Sequence, residues 1–265
     1  MEKTKITPAI LKKLFKPAKH SYKGKNGRLL VIAGSKKYHG AMFLCSVMSA
    51  KIVDFLYIHT TKENFSLIKK VRNRLAEFIY IDNKDLKRTV REVDSILIGP
   101  GLLPDKKTGN LVCKLLRDNP EKKFLLDAGA LRVVDKSLLN ENCVITPHRQ
   151  EFKALFGVQA SLESAYEISF TCPAVIILKG PTDYVIQKGK VFYNTTGNAG
   201  MTKGGTGDVL AGLMAGLMTK ADPLTSAKQA IYANGKAGDN LYKKFKHYYN
   251  AIELIPAVQK VLAGK

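Results

Sequence analysis

Asp208 stands where a carboxylate can act on a phosphoryl group. The stretch from Asn194 to Gly212 reads Asn-Thr-Thr-Gly-Asn-Ala-Gly-Met-Thr-Lys-Gly-Gly-Thr-Gly-Asp-Val-Leu-Ala-Gly, with six glycines in nineteen residues. Gly204, Gly205 and Gly207 fall just before an apolar run, Val209 to Met218, that reads as a helix. Glycines let the backbone turn its N–H groups inward with no Cβ in the way. The helix N-terminus behind them adds roughly half a positive charge, so the loop suits an anion such as a phosphate. A carboxylate at the mouth of that site is useful if it takes a proton from an attacking hydroxyl. The alternative is an Asp that only favours a first helical turn, and the small, flexible residues directly before it favour the base.

The elements that must position this loop alternate. Arg28 to Ala33 is a short apolar run ending in Gly34-Ser35, the pattern of a buried parallel strand, and Ala41 to Lys51 reads as a helix after it. Further strands are expected at Phe55–His59, Glu77–Ile81, Ser95–Ile98, Lys123–Leu126, Cys143–Thr146 and Ala174–Leu178. Between them lie amphipathic stretches of helical length, at Asn64–Leu75, Gly109–Arg117 and Leu162–Phe170. Strands alternating with helices predict an α/β fold with a central, mostly parallel, doubly wound sheet flanked by helices on both faces. After Lys179 the pattern changes: Tyr184–Gln187 and Val191–Asn194 read as a hairpin across Gly189. Three closing helices are expected near Val209–Thr219, Thr225–Phe245 and Ala251–Leu262, the last with Asn250 and Glu253 spaced as a capping box. No linker or internal repeat interrupts the chain, so one domain over 1–265 is expected, with 1–27 a basic leader and 28–265 the catalytic fold. Gly34-Ser35, Gly99-Pro-Gly101, Asp127, His148 and Lys179 all sit at strand ends, where an open α/β sheet binds its ligands.

Bulk composition narrows the function. At 265 residues the chain can bury a real core, and no window approaches the ~20 apolar residues that span a bilayer. The N-terminal residues lack the apolar stretch of a secretory signal, and Cys45, Cys113, Cys143 and Cys172 are far apart. A cytoplasmic protein with reduced thiols is expected, without membrane or metal-binding cysteines. The net charge of +21 comes from dispersed lysines without aromatic-rich basic stretches, which argues against nucleic acid and for a polyanionic nucleotide substrate. Neither a Walker loop nor a dinucleotide fingerprint follows the first strand: Gly34-Ser-Lys-Lys-Tyr-His-Gly40-Ala41 has the wrong spacing for either.

Six ordered segments resemble a known family. Arg28-Leu-Leu-Val-Ile-Ala-Gly-Ser with Tyr38-His-Gly-Ala41, Ile98-Gly-Pro-Gly101, Leu126-Asp-Ala-Gly-Ala-Leu131, Thr146-Pro-His-Arg-Gln-Glu-Phe152, Leu178-Lys-Gly180 and Gly197 to Gly212 look like the ADP-dependent NAD(P)H-hydrate dehydratases of the ribokinase-like superfamily. Gly238-Asp239 and Ile255-Pro256 continue the match. The resemblance implies repair of hydrated NADH or NADPH: the added hydroxyl is phosphorylated by ADP with Mg²⁺ assistance, phosphate is eliminated, and AMP is released. Carried over by position, it implies hydrate binding at Ala41, Gly101, His148 and Asp208. It implies nucleotide binding at Lys179, Gly180, Pro181, Thr182, Asp183 and Gly207. Asp208 would be the base, Gly205, Thr206 and Gly207 would offer backbone donors to the transferred phosphoryl, and Glu151 would hold Mg²⁺ through water.

The same resemblance implies action on the S epimer alone, a functional partnership with a separate NAD(P)H-hydrate epimerase, and a homotetramer. It already occupies nearly the whole chain, so no fused epimerase domain is expected. Plainer roles stand beside these: His148 as a turn histidine, Asp127 as a cap on the turn after it, Tyr38 as packing. The chain departs from the family pattern at Ala199 (usually Pro), at Thr202 (usually Ala) and at Ala50-Lys-Ile-Val-Asp-Phe55, where a Gly-rich stretch is common. The alternative enzyme is a small-molecule alcohol kinase of the superfamily, of the hydroxyethylthiazole or sugar kinase type. It shares the Gly-Gly-Thr-Gly-Asp logic but not the Thr-Pro-His and Gly-Pro-Gly segments. A non-enzymic nucleotide sensor or nucleic-acid binder would gain nothing from Asp208.

Overall fold

The computed structural model describes residues 1–70 and 75–264. They form a ten-stranded sheet in the order β1-β10-β9-β8-β7-β6-β5-β2-β3-β4. The strands are β1 (Lys3–Lys5), β2 (Arg28–Ile32), β3 (Phe55–His59), β4 (Ile79–Tyr80), β5 (Ser95–Ile98), β6 (Lys123–Leu126), β7 (Cys143–Ile145), β8 (Val175–Leu178), β9 (Asp183–Gln187) and β10 (Lys190–Asn194). Neighbours from β8 through β7, β6, β5, β2 and β3 to β4 pair in parallel, whereas β9 is antiparallel to both β8 and β10. The apolar runs are continuous because both faces are covered. Leu29, Val31, Leu97, Leu125, Val144 and Val175 point into one core, and Leu30, Ile32, Ile96, Ile98, Phe124 and Leu126 into the other.

Helices α1 (His39–Ser49), α7 (Thr206–Met218), α8 (Pro223–Phe245) and α9 (Ala251–Leu262) fill the first core. Helices α3 (Leu86–Glu92), α4 (Lys106–Asp118), α5 (Arg149–Phe156) and α6 (Leu162–Ile168) fill the second. The central helix is α7, with Leu213, Met214 and Met218 wholly buried. Each such burial stabilises by about 1.5–3 kcal/mol. It approaches α1 so closely that a Cβ on Gly212 would lie 2.2 Å from the Cys45 carbonyl oxygen. Ser49 Oγ bridges the two backbones, 2.7 Å from the Cys45 oxygen and 3.0 Å from that of Gly212.

The sheet and its order of elements agree with the sequence pattern, and several local expectations need correction. Helix α7 starts at Thr206, not Val209, so Asp208 lies inside its first turn. The glycines before it carry no helical signal, and the helix starts from Gly205 in the left-handed region with no side-chain cap. The strand expected at Glu77–Ile81 is only two residues of β4. Helix α2 spans Lys62–Lys70, and residues 71–74 of the helix expected at Asn64–Leu75 lie outside the described residues. The basic leader contributes β1, parallel to β10, and Ile6 donates its N–H to the Tyr193 carbonyl at 2.8 Å. Helices α3 and α5 are additional to the sequence reading, being one or two turns long and too short to show a clear period. Among the described residues no helix is long and apolar enough to cross a membrane.

Candidate active site

The site forms where β2, β5, β6, β7 and β8 release their chains at the carboxyl edge of the sheet. After β5, Gly99 adopts φ +126 and Gly101 φ +69, both in the left-handed region that a side chain disfavours. A Cβ on Gly99 would lie 1.8 Å from the Asp127 carbonyl oxygen, and one on Gly101 3.0 Å from the Ala41 Cβ. Gly101 and Ala41, both implied in hydrate binding, are thus packed against each other. The Gly34 amide, at the end of β2, donates to the Pro100 carbonyl at 2.8 Å and locks the two loops together.

Asp127 follows β6 and is buried. Its Oδ1 accepts from Thr146 Oγ1 at 2.6 Å and faces Lys179 Nζ at 3.5 Å. Of the two readings of Asp127, the plainer one, a side-chain cap on the turn after it, does not hold. It precedes a 3₁₀ turn at Ala128–Arg132, but its side chain makes no capping bond, because its carboxylate is drawn across the sheet to β7 and β8. Ala128 at φ +48 completes the sharp departure from β6, a conformation costing on the order of 1 kcal/mol.

His148 does act as a turn residue. Its Nδ1 caps α5, accepting from the amides of Gln150 at 3.1 Å and Glu151 at 3.3 Å. Glu151 returns the bond, Oε2 accepting from the His148 amide at 2.9 Å. An Nδ1 that accepts leaves the ring proton on Nε2, which lies 3.2 Å from Glu151 Oε1. The imidazole remains 55% exposed, so capping leaves an edge open to a ligand. Burial raises the proton affinity of Glu151, and the Asp127 charge adds to it against the bonds from His148.

The turn after β8 holds the remaining polar groups. Asp183 Oδ1 accepts from the Gly180 amide at 3.1 Å, and its Oδ2 from Asn194 Nδ2 at 3.4 Å, while burial raises its pKa. Lys179, Gly180, Pro181 and Asp183 line a cleft of about 540 Å³ whose far wall carries Thr206 and Gly207. Thr182 and Gly205 are not among its lining residues. Gly205 at φ +93 is the N-cap of α7, with no room for a Cβ against Leu44 Cδ1 at 2.5 Å. The Thr206 hydroxyl and amide turn back toward the Lys203 carbonyl, at 2.9 and 3.4 Å. The amides of Gly207 and Asp208 have no partner among the described residues, so they are the donors left facing outward. Asp208 itself accepts no hydrogen bond among the described residues. Burial, reinforced by the Asp127 charge and opposed by Lys179, pushes its pKa up to about 7.

Residues outside the sequence reading shape the cleft wall. Asp239 on α8 accepts from the amide of Gly197 at 3.2 Å and from Asn198 Nδ2 at 3.3 Å. Asn198 Oδ1 in turn accepts from Gly200 N–H at 3.0 Å and the Tyr249 hydroxyl at 2.9 Å. Gly238-Asp239 was visible as a motif, but nothing in the sequence connects it to a loop forty residues earlier. No group of three or more His, Cys, Asp or Glu side chains able to hold a metal is found among the described residues. Asp127 and Glu151 are two buried carboxylates, a set that fits Mg²⁺ held through water and substrate phosphate rather than in a closed protein cage.

A mostly parallel sheet ending in an antiparallel hairpin, with a carboxylate in the first turn of a glycine-preceded helix, makes this a ribokinase-like protein. A crystal structure of a ribokinase-like superfamily protein from Enterococcus faecalis superposes with a TM-score of 0.89 at 24% identity, covering 99% of this chain and 96% of that one. The chain belongs to the NAD(P)H-hydrate dehydratase family, whose sequence profile matches residues 29–260. The ADP-dependent (S)-NAD(P)H-hydrate dehydratase of Nitrosopumilus maritimus is 35% identical over 99% of this chain and 98% of its own length. The bifunctional NAD(P)H-hydrate repair enzyme of Methanocaldococcus jannaschii is also 35% identical, but the 95% of this chain that aligns spans only about half (51%) of its length. The ADP/ATP-dependent NAD(P)H-hydrate dehydratase of Bacillus subtilis, co-crystallised with ATP and Mg²⁺, superposes with a TM-score of 0.83 at 26% identity over 98% of each chain.

Proposed function

We propose that this chain is an ADP-dependent dehydratase of the S epimer of NAD(P)H hydrate, restoring NADH or NADPH and releasing AMP and phosphate. The observation that carries the reading is Asp208: a half-buried, unbonded carboxylate whose pKa is pushed up to about 7, beside two outward-facing amides at the N-terminus of α7. Family membership and the 35% identity to the Nitrosopumilus enzyme support the substrate and donor.

In this reading Asp208 takes the proton from the hydrate hydroxyl as its oxygen attacks the terminal phosphorus of ADP. The new O–P bond forms as the bond to the AMP oxygen breaks. Amides of Gly207 and Asp208 face the developing charge, and Lys179 supplies a positive point charge. Hydroxide is a poor leaving group, and phosphorylation turns it into one that departs with its bonding pair. The ring nitrogen's electrons assist, loss of a ring proton completes the elimination, and the dihydronicotinamide returns. Ala41, Gly101 and the exposed edge of His148 form the hydrate side, and Lys179 through Asp183 the nucleotide side. Glu151 and Asp127 would hold Mg²⁺ through water, and the ion when bound would neutralise charge on the phosphates.

The reading includes one ribokinase-like domain over 1–265, supported by the single continuous sheet. It also includes a cytoplasmic setting, a homotetramer, and cooperation with an epimerase that supplies the S form. Purified protein, hydrated NADH, ADP and Mg²⁺ should together restore the ultraviolet absorbance of the reduced nicotinamide, with AMP in the spent nucleotide. An epimer mixture should show a rapid S phase and a slow remainder that added epimerase abolishes. No absorbance recovery with either ADP or ATP would overturn the proposal, and ADP accumulating from ATP alone would overturn the donor.

A further inference from the structure

Four buried side-chain atoms have no hydrogen-bond partner among the described residues: Arg28 Nε, Ser46 Oγ, Ser226 Oγ and Asn234 Oδ1. Asn234 is the one of the four that lines the cleft beside Lys179 and Gly207. It is only 5% exposed, and its amide oxygen has left water without accepting a hydrogen bond in exchange. A buried acceptor in that condition is destabilising unless something else binds it.

Its surroundings define what would. Asn234 lies on α8 one turn after Ile231, and Leu210 of α7 lines the same cleft, so apolar side chains accompany the polar one. The helix carrying it is fixed in place. A Cβ on Gly235 would lie 2.3 Å from Thr196 Oγ1, and one on Gly238 2.3 Å from the Met201 sulfur, so α8 sits hard against the loop that walls the cleft. The backbone that carries the amide is thereby held in position, and only the side-chain torsions of Asn234 remain to orient it. Apolar flanks with one donor and one acceptor match the edge of a purine that carries an amino group beside a ring nitrogen. Adenine offers N6–H as donor and N7 as acceptor, whereas hypoxanthine and guanine offer O6 and N7, two acceptors.

We propose that Asn234 reads the base of the nucleotide, donating to an adenine ring nitrogen and accepting from its amino group, and so selects adenine over 6-oxopurine diphosphates. This rests on the nucleotide reading of the cleft given above. The Asn234 side chain meets its partners only in the complex, which accounts for its unpaired state in the free protein. It acts as a specificity determinant remote from the reacting oxygen.

Calorimetric binding of ADP and inosine diphosphate to the wild type and to Asn234→Leu tests it, with no hydrate present. Wild type should bind ADP at least ~10-fold more tightly than inosine diphosphate, the size of effect one bidentate pair supplies. Asn234→Leu should lose most of that ratio, chiefly by weakening ADP. Asn234→Asp, which keeps shape and acceptor but not the donor, should weaken ADP with its thermal unfolding unchanged, and it serves if the Leu variant does not fold. A ratio preserved in both folded variants, or no preference in the wild type, overturns the role of Asn234 and leaves the nucleotide reading standing. Failure of the wild type to bind any nucleoside diphosphate overturns both.

Discussion

Asp183 and Asp208 are both half-buried carboxylates at this site, and both have raised pKa values for the same first reason, loss of water. Their furnishings differ. Asp183 is held by the Gly180 amide and the Asn194 side chain, bonds that favour its ionised form and fix its place. Asp208 has no such bond, and the charge of Asp127 pushes it further toward protonation. A carboxylate tied by donors shapes a turn, whereas one left unbonded near neutrality can exchange a proton at working pH. Two aspartates in one α/β site are thereby assigned opposite tasks by their neighbours alone.

The largest expected effect breaks the comparison at Asp208. Asp208→Asn should lower turnover by at least ~10² while ADP binding, read by calorimetry, stays within a few-fold. Turnover near wild type would remove the base assignment. Asp183→Ala should do the reverse. It strands the Gly180 amide and the Asn194 side chain, so ADP affinity should fall by about tenfold, with turnover at saturating ADP little changed. A variant that loses turnover and keeps affinity would make the two carboxylates equivalent.

The pH dependence sharpens the contrast. Catalysis requires ionised Asp208, so kcat/KM should rise with pH through a limb near the folded value of about 7. Asp127→Asn removes a like charge, stabilises the ionised form and should move that limb to lower pH by roughly 0.5–1 unit. A limb that stays put would mean the charge of Asp127 is not felt at Asp208.

The smallest effect is on stability. A carboxyl whose folded pKa is raised loses stability as pH climbs from the ordinary carboxylate range to about 7, and the loss persists above that. Asp208→Asn should therefore raise Tm at pH 8 by ~2–4 °C, the size that ~1 kcal/mol makes in a chain of this length, and leave it unchanged at acid pH. An unchanged Tm at pH 8 would mean that ionised Asp208 is better solvated than its burial implies.

The parallel strands were legible because both faces are buried, which leaves unbroken apolar runs such as Leu29–Ile32 and Leu125–Leu126 that no other element explains. Gly204 to Asp208 was legible for a local reason too, since glycine spacing before a helix encodes an anion cradle within a few residues. By itself the sequence thus determined the α/β pattern, the late anion loop and the carboxylate behind it. The tertiary structure decided the rest, because proton affinity and hydrogen bonding depend on neighbours distant in the chain. It made Asp127 a partner of Thr146 and Lys179, and it extended α7 back to Thr206. It set Asp239 under the loop at Gly197, and left Asn234 buried at the cleft wall with an unpaired amide oxygen. Those assignments follow from which strand ends and helices meet at the edge of the sheet, a matter of long-range packing that no local spacing records.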